Sequence, residues 1–114
     1  MPEIRDENIG MDVDDDGFLT HTEVWTEEMA RVLAARDGIG QLSEEHFAIL
    51  RYLREYYRRH RFFPIPRAIC RSVQQPRSCV TDSFTDPVKA WKIAGLPNPG
   101  EEVLGFRSWE PLGY

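Results

Sequence analysis

Apolar positions recur at helical spacing in two stretches of the chain. In the first, Trp25, Met29, Val32 and Leu33 fall on one face, with Thr22 placed as an N-cap and acids in the opening turn. Gly38 and Gly40 stop this helix. In the second, Ser43 caps a longer helix over 44–60, where Phe47, Leu50, Leu53 and Tyr57 form a stripe widened by Ile49 and Tyr56. That helix is expected at the centre of the core. Ahead of both, Met11 and Val13 lead into Asp14-Asp15-Asp16-Gly17, and Phe18, Leu19 and Thr20 lead out. Asp-Gly between such flanks predicts a β-hairpin over 9–20.

Pro64 and Pro66 mark the next break, followed by a short helix over 67–73. Residues 74–86 read as irregular, being rich in turn formers. Pro87 opens a last helix over 88–94, and Gly95 closes it. Leu96-Pro97-Asn98-Pro99-Gly100 cannot continue a helix, which predicts an extended, exposed arm over 95–114 whose tail carries Phe106, Trp109 and Tyr114. The expected fold is mainly α (α+β). It is one domain over 1–114, with a hairpin at 9–20, a small helical bundle at 22–94 containing a helix-turn-helix-like core, and a C-terminal arm.

Length and composition agree with one modest core: 114 residues, 41% hydrophobic and 29% charged. No apolar run approaches the ~20 residues of a membrane helix. The acidic N-terminus lacks an apolar leader core, and two cysteines are too few for a disulfide framework, so the expected compartment is the cytoplasm. The net charge of −5 hides a polarity. Residues 1–30 hold ten acids against Arg5, and residues 51–77 hold eight arginines against Glu55. The basic half can face the acidic lobe, stay solvated, or meet phosphate or an acidic protein surface.

Candidate chemistry is sparse. Asp12, Asp14, Asp16, Gly17 and Glu23 satisfy a calcium-loop spacing, but no helix enters the loop and no second loop pairs with it. An acidic hairpin turn is the simpler reading, and no metal or cofactor is expected. Cys70 and Cys79 are candidate thiols. Cys70 suits a buried position on the short helix, while Cys79 follows Arg77, a cation that would favour its thiolate. Arg58, Arg59, Arg61, Arg67 and Arg71 bracket the break between two helices, a candidate site for an anion, DNA or RNA. No phosphate loop or nucleophile elbow is present, and no enzyme is expected.

The runs DGFLTHTEVWTEEMARVLAARDGIGQLSEEHFAILRYLREYYRRHRFFPIPR and KAWKIAGLPNP resemble the DsrC/TusE family of sulfur-relay proteins over roughly residues 11–99. The resemblance implies a helical scaffold whose C-terminal arm carries sulfur on a penultimate cysteine, with a second cysteine eleven residues earlier in one branch. Here the alignment of GLPNPGEEV sets Glu102 at the first of those positions and Trp91 at the second. A carboxylate neither forms a persulfide nor exchanges disulfides. The resemblance therefore implies a cytoplasmic regulatory or binding protein of sulfur metabolism that is not itself a persulfide carrier. Its partner would be a protein of a sulfur-transfer or sulfite-reductase system. The alternative is a divergent relay or redox carrier that uses Cys79 or Cys70.

Overall fold

The computed structural model of the chain describes residues 12–100. Five α-helices follow one another: α1 (Glu27–Arg36), α2 (Glu44–His60), α3 (Pro66–Ser72), α4 (Cys79–Phe84) and α5 (Pro87–Ile93). A single 3₁₀ turn, Thr22–Val24, precedes them.

The expected hairpin is smaller than its sequence suggested. Asp14 Oδ1 accepts from the Asp16 and Phe18 amides, both at 2.9 Å, and closes the turn. Antiparallel pairing is limited to one bridge, Val13 with Leu19, and no longer strand forms among the described residues. Residues 9–11 lie outside them. Phe18 and Leu19 are buried in the common core, so the turn serves to plug it.

α1 begins later than its apolar period predicts. The cap is Thr26, whose Oγ1 accepts from the Met29 amide at 3.2 Å, whereas Thr22 opens the 3₁₀ turn. Trp25 is extended rather than helical, because its indole Nε1 donates to the Ile93 carbonyl at 2.9 Å. That bond ties the entry of α1 to the end of α5.

α2 matches its predicted bounds. Ser43 Oγ accepts from the His46 amide at 3.3 Å, and His46 Nδ1 accepts from the Ser43 amide at 3.0 Å. This is a reciprocal capping box with histidine in the usual place of Glu or Gln. Phe47, Ile49, Leu50 and Leu53 are all buried. Each such side chain contributes about 1.5–3 kcal/mol relative to exposure. Arg61 ends the helix at φ 57°, and Phe63 and Pro64 turn back into the core.

The segment expected to be irregular contains α4. Its six residues bury Cys79, Val80 and Phe84. Asp86 caps α5 by accepting from the Val88 amide at 2.7 Å, and Pro87 occupies the first helical position. At the far end Gly95 adopts φ 75°, with its amide bonded to the Lys92 carbonyl. A residue in the left-handed region is how helices of this kind are usually stopped.

Candidate functional site

The two cysteines are bonded to each other. Cys70, on α3, and Cys79, the first residue of α4, form a disulfide with Cα atoms 5.7 Å apart. Neither is therefore the free thiol considered from sequence, and Cys79 is 2% exposed rather than displayed in a loop. The bridge closes a loop of only eight intervening residues, which returns beside α2: the Gln75 amide donates to the Cys70 carbonyl at 2.9 Å and its side chain donates to the Glu45 carbonyl at 3.1 Å.

Arginine chemistry divides into separate places. Arg51 spans Glu27 on α1 and Glu44 at 2.7 and 2.8 Å. Arg58 and Arg59 share Glu55 at 2.6 and 2.9 Å, and these pairs lower the Glu55 pKa. Arg61 lies over the Tyr57 ring, 5.3 Å from its centroid. Arg54 donates to the Ala94 and Thr22 carbonyls at 2.9 and 3.0 Å while covering the Trp25 ring, and burial pulls its pKa down. Much of the basic half is thus absorbed within the fold, part of it by the acidic side. Arg67 and Arg71 stand apart. Together with Gln75 and Arg77 they line an open groove of about 590 Å³. The band of five arginines expected around the helix break is split, and Arg77 joins the second half. The bridge and the Gln75 hydrogen bonds hold the turn that brings Arg77 to Arg67 and Arg71, and sequence spacing held no sign of it.

The start of the arm is fastened, not free. Leu96 is buried at 2% exposure, and the Pro97 carbonyl accepts from Trp91 Nε1 at 2.7 Å. The Asn98 amide nitrogen donates to Asp16 Oδ2 at 2.8 Å and to Asp14 Oδ2 at 3.2 Å. Burial raises the Asp14 pKa, but hydrogen bonds from Phe18, Asn98, Asp16 and Gly17 outweigh it, and the carboxyl sits below its ordinary value. The exposed arm expected from residue 95 is corrected accordingly: it can begin only after these contacts, and residues 101–114, Glu102 included, lie outside the described part. Trp91 is not an arm residue either. It lies on α5, 2% exposed, with the edge-on rings of Tyr57 and Phe63 at 5.5 and 6.0 Å. No three His, Cys, Asp or Glu side chains, those of the calcium-loop spacing included, gather as a metal-holding group among the described residues.

With this scaffold in view, the family model described as DsrC like protein matches residues 4–103. The chain belongs to the DsrC-like family. It is 31% identical over 101 residues to the dissimilatory-type sulfite reductase subunit gamma of Nitratidesulfovibrio vulgaris, covering 87% of this chain and 96% of that one. It is 34% identical over 95 residues to the sulfurtransferase TusE of Sodalis glossinidius, covering 75% and 87%. The fold also resembles the crystal structure of the oxidised gamma subunit of dissimilatory sulfite reductase, DsrC, from Archaeoglobus fulgidus. The TM-score is 0.67 at 36% identity, over 78% of this chain and 89% of that one. The helical scaffold is thus that of DsrC. No helix among the described residues is long and apolar enough to cross a membrane.

Proposed function

We propose that this DsrC-like chain is a divergent sulfur-relay or redox protein that works with a sulfurtransferase or sulfite-reductase-type partner, and that its exchangeable sulfur chemistry resides in the Cys70–Cys79 pair. One observation carries this reading: the only two sulfur atoms of cysteine in the sequence are bonded to each other. A dithiol reductant opens the bridge by two thiol–disulfide exchanges, becoming a disulfide itself. A freed thiolate attacks the outer sulfur of a donor persulfide, takes that sulfur atom, and releases the donor as a thiolate. The second cysteine then attacks the inner sulfur of the new persulfide, reforming the bridge and expelling hydrosulfide. Two thiols are oxidised as the transferred sulfur is reduced. Because both cysteines are buried, the exchange requires local opening of α3 or α4, two short helices joined through an exposed turn.

Intact-protein mass measurement of the reduced chain after treatment with a persulfide donor tests this. The expected result is a gain of about 32 Da, one sulfur atom, absent from the Cys70→Ser, Cys79→Ser double variant. Hydrosulfide should appear as the adduct decays in the wild type but not in Cys70→Ser. A reduced, folded protein that never gains sulfur sinks the proposal.

The burial of both cysteines and the carboxylate at Glu102 favour a second reading, a binding or regulatory protein with a structural disulfide. It predicts no adduct, together with partner binding that survives Cys70→Ala, Cys79→Ala.

A further inference from the structure

The groove beside the bridged helices gathers three arginines at one place. Arg67 and Arg71 are four residues apart on α3, which sets their side chains on one helical face. Arg77 approaches from the turn before α4. The three guanidinium groups line one open hollow with the neutral Gln75 between them. Arg51, Arg58 and Arg59 each have a carboxylate within 3 Å. The guanidinium groups of Arg67, Arg71 and Arg77 make no ion pair or hydrogen bond among the described residues. Arg71 and Arg77 are exposed and Arg67 is half-buried. Like charges gathered without counter-charge repel one another, so the arrangement gains stability when an anion enters it.

We propose that Arg67, Arg71 and Arg77 form a binding site for a small doubly charged oxyanion of the sulfate, thiosulfate or phosphate class, and that the Cys70–Cys79 bridge preorganises it. Each guanidinium presents a planar fork of donors that matches two oxygens of such an ion. The bridge fastens the turn carrying Arg77 to the helix carrying Arg67 and Arg71, and the Gln75 amide on the Cys70 carbonyl completes the fastening. Ordering three long side chains around one ion costs less when their backbones already face the same hollow. A small ion suits the site better than a nucleic-acid backbone. The remaining candidates for a basic track, Arg58 and Arg59, are engaged by Glu55, Arg61 lines other hollows, and the whole chain is acidic.

The bridge acts here only as a fastener, so the site does not depend on the sulfur-transfer reading. By linkage, an oxyanion that prefers the bridged form also makes the bridge harder to reduce, by the same factor.

Calorimetric titration of the oxidised full chain with thiosulfate, sulfate and phosphate, at about 0.1 M chloride to screen diffuse attraction, tests the proposal. The expected dissociation constant is about 1 mM or tighter for at least one of them. Arg71→Gln and Arg77→Gln, both at exposed positions, should each weaken it about tenfold, as the loss of a charge-assisted hydrogen bond would. Arg71→Lys should recover part of the loss, and Arg58→Gln should leave affinity unchanged. Reduction with dithiothreitol should weaken binding about threefold or more. Absence of binding, or affinity insensitive to Arg71 and Arg77, overturns the site. Equal affinity in the oxidised and reduced forms overturns preorganisation. A duplex oligonucleotide that binds through these arginines, with none of the three ions competing, replaces the small-ion site with a nucleic-acid surface. Failure of the persulfide experiment leaves all of these outcomes unaffected.

Discussion

Replacing Gly95 with alanine tests the junction on which the two ends of the described chain meet. Gly95 adopts φ 75°, where a side chain costs about 1 kcal/mol. A Cβ there would also collide with the Trp25 indole, contacting Cδ1 and standing 2.7 Å from Cγ. To make room the indole must leave the Ile93 carbonyl, losing a hydrogen bond worth about 1 kcal/mol. It must also withdraw from under the Arg54 guanidinium, 4.6 Å from the ring centroid, at a further cost of about 1 kcal/mol. The expected loss is about 3–4 kcal/mol including local repacking. With a urea slope of about 1.5 kcal/mol/M, the unfolding midpoint should fall by roughly 2 M. Two other glycines separate the contributions. Gly38 has φ 78° and no atom within 4 Å of the place a Cβ would take, so Gly38→Ala should cost only the conformational ~1 kcal/mol. Gly40 has the same open space and no positive φ, so Gly40→Ala should be close to neutral. If Gly95→Ala is no worse than Gly38→Ala, the indole is not a rigid obstacle and the account of this junction is wrong.

Other perturbations have equally definite outcomes. Arg54→Met keeps the stem but strips donors from the Ala94 and Thr22 carbonyls, and should lower stability by about 2–3 kcal/mol in urea melts. A smaller loss in Arg54→Met than in Arg58→Ala, whose exposed pair is screened by solvent, would contradict this ranking. Reducing the Cys70–Cys79 bridge should cost about 2.5 kcal/mol, the loop-closure entropy for so short a loop, and a thermal midpoint unchanged by dithiothreitol would refute it. The Asp14 carboxyl titrates below its ordinary value of 3.8, so its stabilisation is complete above that pH and vanishes as the pH falls through the folded value. Asp14→Asn should therefore flatten the acid limb of the melting profile below about pH 4, and an unchanged limb would show that the turn does not depend on this charge.

Elements with strong local signals were legible from sequence. Ser43 before an apolar period located α2 to the residue, and Gly95 located the end of α5. α4 was hidden because its stretch, QQPRSCVTDSFTD, shows no helical period. Burial at Cys79, Val80 and Phe84 comes from packing against neighbouring helices, a tertiary cause that no local pattern carries. Trp25 misled for the opposite reason. It fits the stripe of α1 in spacing, yet a bond to Ile93, 68 positions away, holds it outside the helix. The candidate site was half visible. Arg67, Arg71 and both cysteines stood out as residue types, but their grouping with Arg77 depends on a turn whose course is fixed by the bridge and by Gln75. Trp91 aligned with an arm position while belonging chemically to the core, as an aromatic so fully enclosed must.

The bridge between Cys70 and Cys79 also turns part of the backbone into a closed ring. Arg77 lies in that ring, exposed and outside any helix, where a trypsin-like protease finds an accessible peptide bond. A cut after Arg77 opens the ring without releasing a fragment. The two pieces travel together as one oxidised molecule, heavier by one water, and separate only when the sulfurs part. A proteolytic nick there would stay silent in the oxidised chain and become a division of the protein on reduction.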